Sequence, residues 1–254
     1  MNGPLVCAIG TTDPWNAAGL GLDVLALAEC GARALIVVAG VSAQDARGVH
    51  AAAATSPELI GAQFEALREA PIAAYRIGAV LDVPSAEAIA RAVSQDAAPV
   101  VYDPVFAPSG GGSFVDDDVV GAIARSLLPC ARVVTPNVDE LARLLGGPVA
   151  GTPDEMSAAA RALVARGVRA VLVTGGHLSG PHAIDVLADG DTVSVFASPR
   201  LTASMRGTGC LLAGAIAAGL ARGEALVPAV VAARAFVQSK LAHATTRGSM
   251  QTAY

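Results

Sequence analysis

The chain is 254 residues long, 53% apolar and only 4% aromatic, with a formal net charge of −5. A core of Ala, Val, Leu and Ile suits a buried parallel sheet covered by Ala-rich helices, and an acidic balance with no basic block argues against nucleic acid or an anionic membrane as partner. The N-terminal MNGPLVCAIG lacks a basic segment before an apolar one, and no uncharged run is long enough to span a bilayer. Cys7, Cys30, Cys130 and Cys210 form no C-x-x-C pair. The expectation is a cytoplasmic, reduced enzyme with neither zinc nor membrane segment.

In chain order, short apolar runs alternate with helical patterns. A strand at 5–10 leads to a helix at 18–30 and a strand at 34–41. Helix 57–69 precedes strand 74–80, and helix 85–95 precedes strand 99–105. Helix 116–127, strand 132–137, helix 138–145, helix 154–166 and strand 170–176 follow. Pro57 and Pro84 stand at helix starts, where a missing N–H costs nothing. This alternation predicts right-handed βαβ crossovers and a mostly parallel sheet. Strands at 183–189 and 192–198, separated by Gly190-Asp191, read as an antiparallel hairpin. Helices at 208–222 and 226–246 close the chain. No linker or repeat interrupts it, so residues 1–254 read as one domain.

Ligands of open α/β sheets sit at the carboxyl ends of the strands. Those ends here are Gly10-Thr11-Thr12-Asp13, Ser42-Ala43-Gln44-Asp45, Asp103-Pro104-Val105, Thr135-Pro136-Asn137 with Glu140, and Thr174-Gly175-Gly176-His177. Asp103 and Glu140 offer carboxylates and Asn137 an amide oxygen, a set that suits Mg²⁺. Taken alone, Asn137 and Glu140 read more simply as a helix capping box, and Asp103 as a turn former. Gln44 carries donor and acceptor on one planar group, matching a heteroaromatic edge, or is an ordinary polar loop residue. Asp23 reads as a solvated first-turn acid or as a buried acceptor for an amino group. In RGTGCLLAGAIAAGLARG a helix starts at Gly207-Thr208-Gly209-Cys210, an anion site by construction. A thiol there is expected to have a lowered pKa.

Together, AIGTTDPWNAAGLGLDVLAL, SAQDARGV, YRIGAV, VVYDPVFAPSGG, LLPCARVVTPNVDEL, VLVTGGHL and RGTGC resemble, in this order, the hydroxymethylpyrimidine/phosphomethylpyrimidine kinases of thiamin biosynthesis, members of the ribokinase superfamily. The resemblance runs from about residue 5 to 240. It implies an α/β, ribokinase-like three-layer fold, with a mostly parallel central sheet and helices on both faces. It also implies ATP and Mg²⁺, a small pyrimidine alcohol as substrate, and a homodimer. Carried over by position, Gly207, Thr208 and Gly209 form the anion hole and Cys210 is the general base. Gln44, Asp23, Gly10, Ala18 and Val105 surround the pyrimidine. Thr174, Gly175, Gly176, His177 and Asn137 lie by the nucleotide, and Asp103 and Glu140 lie by the metal. The alternatives are a pyridoxal/pyridoxine kinase, a non-catalytic pyrimidine-binding protein, and a sugar or nucleoside kinase of the superfamily.

The chain departs from the family at two places. Trp15-Asn16-Ala17 replaces a Gly-Gly-Ala-Gly run, so Trp15 walls the pocket, stacks on the ring or narrows substrate choice. Thr174 stands where many members have Lys, and Arg206 is either a compensating cation or a flap residue in solvent.

Overall fold

The computed structural model describes residues 3–107, 115–176 and 178–254. The strands are β1 Leu5–Thr12, β2 Arg33–Asp45, β3 Gly48–Ala54, β4 Ile72–Ile77, β5 Val100–Tyr102, β6 Val133–Val134, β7 Ala170–Thr174, β8 His182–Asp189 and β9 Thr192–Pro199. They form a nine-stranded sheet in the order β3-β2-β1-β4-β5-β6-β7-β8-β9. The six strands from β2 across to β7 are parallel, and β3, β8 and β9 add antiparallel edges. The chain leaves β1 towards β2 and returns to β4 on its other side. That reversal opens a crevice at the carboxyl ends of β1 and β4, where an α/β sheet binds its ligand.

Helices α1 Gly19–Glu29, α7 Thr208–Ala221 and α8 Leu226–Ala242 cover one face. Helices α2 Pro57–Ala66, α3 Val83–Val93, α4 Asp117–Ser126, α5 Val138–Leu145 and α6 Pro153–Val164 cover the other. The period of two in each strand divides the core between them. Cys7 and Ile9 pack with Ile60, Ile89 and Ile123, whereas Val6 and Ala8 pack with Leu20, Leu212 and Ile216. Every residue of α7 from Cys210 to Gly219 is buried. Its Ala/Gly composition lets it lie between the sheet, α1 and α8. Truncating a side chain such as Ile216 there costs about 2–5 kcal/mol.

The architecture matches the three-layer expectation, with corrections at the edges. Ser42–Asp45 do not leave the sheet: β2 continues to Asp45 and pairs with β3 from Gly40↔Ala54 to Asp45↔Gly48. The last helix stops at Ala242 rather than 246. A hairpin of β10 Thr245–Arg247 and β11 Met250–Thr252 takes up the remaining chain. β5 and β6 are shorter than expected, each ending just ahead of a proline pair (Asp103-Pro104 and Thr135-Pro136) that cannot extend the ladder.

Candidate active site

The loop after β1 is organised by Asp13, whose buried carboxylate accepts N–H bonds from Trp15, Ala17 and Ala18, each at 3.0 Å. This holds the WNAAG segment without the glycines usual in such a turn, although Asn16 takes a left-handed φ of 51°. Trp15 is 45% exposed and packs beside Gly248 in the turn of the β10–β11 hairpin, outside the cavity wall. It therefore neither walls the pocket nor stacks on a ring there.

Gly207 opens α7 with a φ of 78°, and a Cβ at this position would collide with the Ala17 carbonyl oxygen and Leu22. No side chain caps the helix, and its first bond is Leu211 N–H to the Gly207 carbonyl at 2.9 Å. The amides of Thr208, Gly209 and Cys210 thus stand at the positive end of a buried helix and line the cavity. A Cβ on Gly209 would come within 3.5 Å of both Asp103 carboxylate oxygens, so that carboxylate sits directly against the helix mouth.

Beneath the mouth lies a buried charge cluster centred on Arg76, which is 1% exposed. Its Nη2 donates to Asp103 Oδ2 at 2.9 Å, and its Nη1 lies 3.2 Å from Asp23 Oδ2. Asp23 is fully buried and among the described residues neither of its oxygens accepts a hydrogen bond, so Arg76 is its electrostatic compensation. Burial pushes Asp23 up to about 7 against the pull of Arg76, with Asp103 adding to the rise. Asp103 is raised by burial too, and Arg76 and the Thr135 hydroxyl oppose this. Cys210 does not show the expected depression. Burial pushes its thiol up to about 12, Asp23 and Asp103 add to the rise, and Arg76 and the Gly19 amide only partly offset it.

On the far side, Asn137 is the N-cap of α5 and Glu140 completes a capping box. Asn137 Oδ1 accepts from Glu140 N–H at 2.9 Å, and Glu140 Oε2 accepts from Asn137 N–H at 2.8 Å. The simpler reading of this pair was correct, yet both also line the cavity. Burial and then the Asp103 charge push Glu140 up to about 8, with the Asn137 and Phe106 amides opposing. Gly175 must be glycine because a Cβ would strike the Ile184 carbonyl oxygen. Its N–H donates to Asp185 Oδ1 at 3.0 Å, and Arg234 Nε holds the other Asp185 oxygen at 2.7 Å. Arg200 Nη1 donates to the Gly176 carbonyl at 2.6 Å. His177 lies outside the described residues.

These elements enclose a cavity of about 760 Å³, a size suited to a small-molecule site. Ala18, Gln44, Asp103, Val105, Asn137, Glu140, Thr174, Gly176 and Gly207–Cys210 all reach its wall. Gly10, Asp23 and Gly175 do not, being packed one layer behind it. Asp23 is thus a buried counter-ion and makes no wall for an amino group.

The family model described as phosphomethylpyrimidine kinase matches residues 13–253. The chain belongs to that family. A hydroxymethylpyrimidine/phosphomethylpyrimidine kinase of Rhizobium meliloti is 37% identical to this family member over 94% of the present chain and 91% of its own. An ADP complex of Bacillus subtilis pyridoxal kinase superposes with a TM-score of 0.92 at 25% identity, covering 99% of this chain and 97% of its own. A phosphomethylpyrimidine kinase from Clostridium difficile 630 superposes with a TM-score of 0.82 at 25% identity, covering 93% of this chain and 98% of its own.

In this phosphomethylpyrimidine kinase family member, the sequence reading passed over Arg76, Arg234 and Asp185, and it missed the partners of Arg206. Arg76 carried a signal, since a lone charge inside the apolar run IAAYRIGAV needs a buried partner. Arg206 is half-buried at the cavity wall and is no flap residue in solvent. It donates from Nη2 to Gln44 Oε1 at 2.7 Å and from Nη1 to the Asp45 carbonyl at 2.5 Å. Among the described residues no group of three or more His, Cys, Asp or Glu side chains converges as a metal cage. The Asp103–Glu140 pair still fits Mg²⁺, which takes few carboxylates and keeps water and phosphate ligands. Burial first, and the Asp103 charge second, raise Glu140 and so favour a cation beside it.

Proposed function

We propose that this chain, as one ribokinase-like domain, transfers the γ-phosphoryl group of ATP to the hydroxymethyl oxygen of 4-amino-5-hydroxymethyl-2-methylpyrimidine. It then phosphorylates the monophosphate to the diphosphate, in thiamin biosynthesis. The observation that carries this reading is the uncapped N-terminus of α7, whose amides meet Asp103 and Glu140 in one cavity. Family membership and the Rhizobium relative support the pyrimidine, and the ADP complex of the Bacillus protein supports the nucleotide. The four free cysteines suit a reducing compartment such as the cytoplasm. The exposed apolar side chains Ile36 and Val41 on β2 suit a homodimer.

In this reading the ring lies between Gln44, Ala18 and Val105, with its hydroxymethyl arm at the mouth of α7. The nucleotide occupies the side lined by Asn137, Thr174 and Gly176, against the Gly175 turn and next to His177. The hydroxyl oxygen bonds to the γ-phosphorus as the bond from that phosphorus to the β-phosphate oxygen breaks. The amides of residues 208–210 meet the charge spread over the transferred group, the contribution such oriented donors make best. Asp103 and Glu140 would hold Mg²⁺, which supplies charge neutralisation for the phosphates. Burial pushes the Cys210 thiol up, so it rests as a neutral thiol and this reading does not assign it the hydroxyl proton. That proton leaves late, to an oxygen of the transferred phosphoryl, as a loose transition state permits.

A second reading, pyridoxal kinase, is favoured by the higher TM-score of the Bacillus pyridoxal kinase, 0.92 against 0.82. The deciding experiment offers Mg·ATP with the pyrimidine alcohol, its monophosphate and pyridoxal separately. Turnover of both pyrimidines establishes the first reading, and turnover of pyridoxal alone establishes the second. Binding of the pyrimidine without turnover would leave a binding protein.

A further inference from the structure

Gln44 sits on β2 with its side chain in the cavity wall and only 7% exposed. A carboxamide can turn either end inward, and the two ends ask for opposite ligands. Arg206 decides the matter. A guanidinium has donors and no acceptor, so the end of Gln44 that meets it at 2.7 Å must be the oxygen. Gln44 Nε2 makes no hydrogen bond among the described residues and is left as the donor this wall residue offers the cavity.

Arg206 is itself held from several directions. Nη1 donates to the Asp45 carbonyl at 2.5 Å and lies 3.7 Å from Met250 Sδ, and the Arg206 N–H donates to the Gln251 carbonyl at 3.2 Å. It is also the residue directly before the Gly207 N-cap of α7. One side chain therefore joins the end of β2, the C-terminal hairpin and the mouth of the anion hole.

We propose that Arg206 is a specificity-determining positioning residue: it locks the Gln44 carboxamide so that this wall accepts a heteroaromatic edge with a hydrogen-bond acceptor and rejects one with a ring N–H. The inference rests on the proposed function in taking the ligand to be a planar heteroaromatic alcohol. A mismatch would set two donors against each other in a buried wall, which costs about tenfold to a hundredfold in affinity.

The test measures binding by calorimetry without ATP, for the 4-aminopyrimidine alcohol and for its 4-oxo counterpart, which carries a ring N–H. The unaltered chain should prefer the amino compound by about tenfold to a hundredfold. Arg206→Lys keeps a donor to Oε1 and should keep the preference. Arg206→Met frees the carboxamide to turn over, and the ratio should shrink to about threefold or less on the same scale. Gln44→Glu keeps the bond to Arg206 but presents an acceptor inward, so it should favour the 4-oxo compound. No preference in the unaltered chain, an equal loss for both ligands in Arg206→Met, or an unchanged order in Gln44→Glu would each overturn the proposal. Turnover is assayed separately, so selective binding without phosphorylation refutes the proposed function and leaves this inference standing.

Discussion

Replacing Arg76 by Met, which keeps length and volume but removes the charge, should strip Asp23 and Asp103 of their counter-ion at once. The pairs lie at 3.2 and 2.9 Å, with side-chain exposures of 6% or less, so solvent screens neither. At an effective dielectric of about 20, one pair at 4 Å is worth about 4 kcal/mol. Removing one partner of a buried pair typically costs about 3–5 kcal/mol. For a chain of this size each kcal/mol moves the Tm by about 2–4 °C, so a fall of about 10 °C is expected at pH 8. The sign of the pH dependence follows from Asp23, which sits near 7 even with Arg76 present. Without Arg76 its pKa rises further, so at pH 5.5 both carboxylates take up protons and the deficit should shrink. Scanning calorimetry of the variant at both pH values checks this, and adding Asp23→Asn should recover part of the loss. A Tm within about 2 °C of the unaltered chain at pH 8, less than 1 kcal/mol on this scale, or a deficit that does not change with pH, would refute the charge-balance reasoning.

Gly207→Ala should destabilise the chain by about 1–3 kcal/mol and abolish phosphoryl transfer, because a Cβ there meets Ala17 and Leu22 at a φ of 78°; circular dichroism with a kinase assay reads both effects. Cys210 should resist iodoacetamide at pH 7.5, reacting about a thousandfold more slowly than a free thiol near 8.5, since its pKa is near 12; peptide mass spectrometry measures this. Glu140 sits near 8 against an ordinary value of 4.5, so the metal-free folded chain binds an extra proton between those values, and its stability falls as pH rises through them. Mg²⁺ must displace that proton, so Mg²⁺ binding followed by calorimetry should weaken by up to about tenfold per pH unit below 8.

Most of the layered fold was legible because alternating strand and helix patterns dominate the chain, and the strand ends correctly nominated the wall residues Asp103, Asn137, Glu140 and Thr174. What was missed has local physical reasons. His50-Ala51-Ala52-Ala53-Ala54 carries no strand signal, since alanine favours helices, and only its pairing with Gly40–Ala43 makes it β3. The three-residue strands β10 and β11 are too short to show a period. The rise of the Cys210 thiol was not foreseen because helix position is visible in sequence and depth of burial is not. Arg76 finds Asp23 and Asp103 53 and 27 positions away, and Arg206 finds Gln44 162 positions away, separations that no single-chain pattern encodes.

Because α7 is buried from Cys210 to Gly219, the amides proposed to meet the transferred phosphoryl start from an interior helix, while Gln44 of the proposed ring site lies on the β2–β3 edge and Met250, beside Arg206, on the β10–β11 hairpin. Chemistry and choice of substrate are thus mounted on parts of very different mechanical stiffness. Hydrogen exchange should be slowest in α7 and fast in β3, β10 and β11. Variation among Gln44, Arg206 and Met250 can then retune which alcohol enters, because the phosphoryl-transfer frame does not have to repack to accommodate it. A search for altered substrate range would do well to randomise the rim and leave the helix alone.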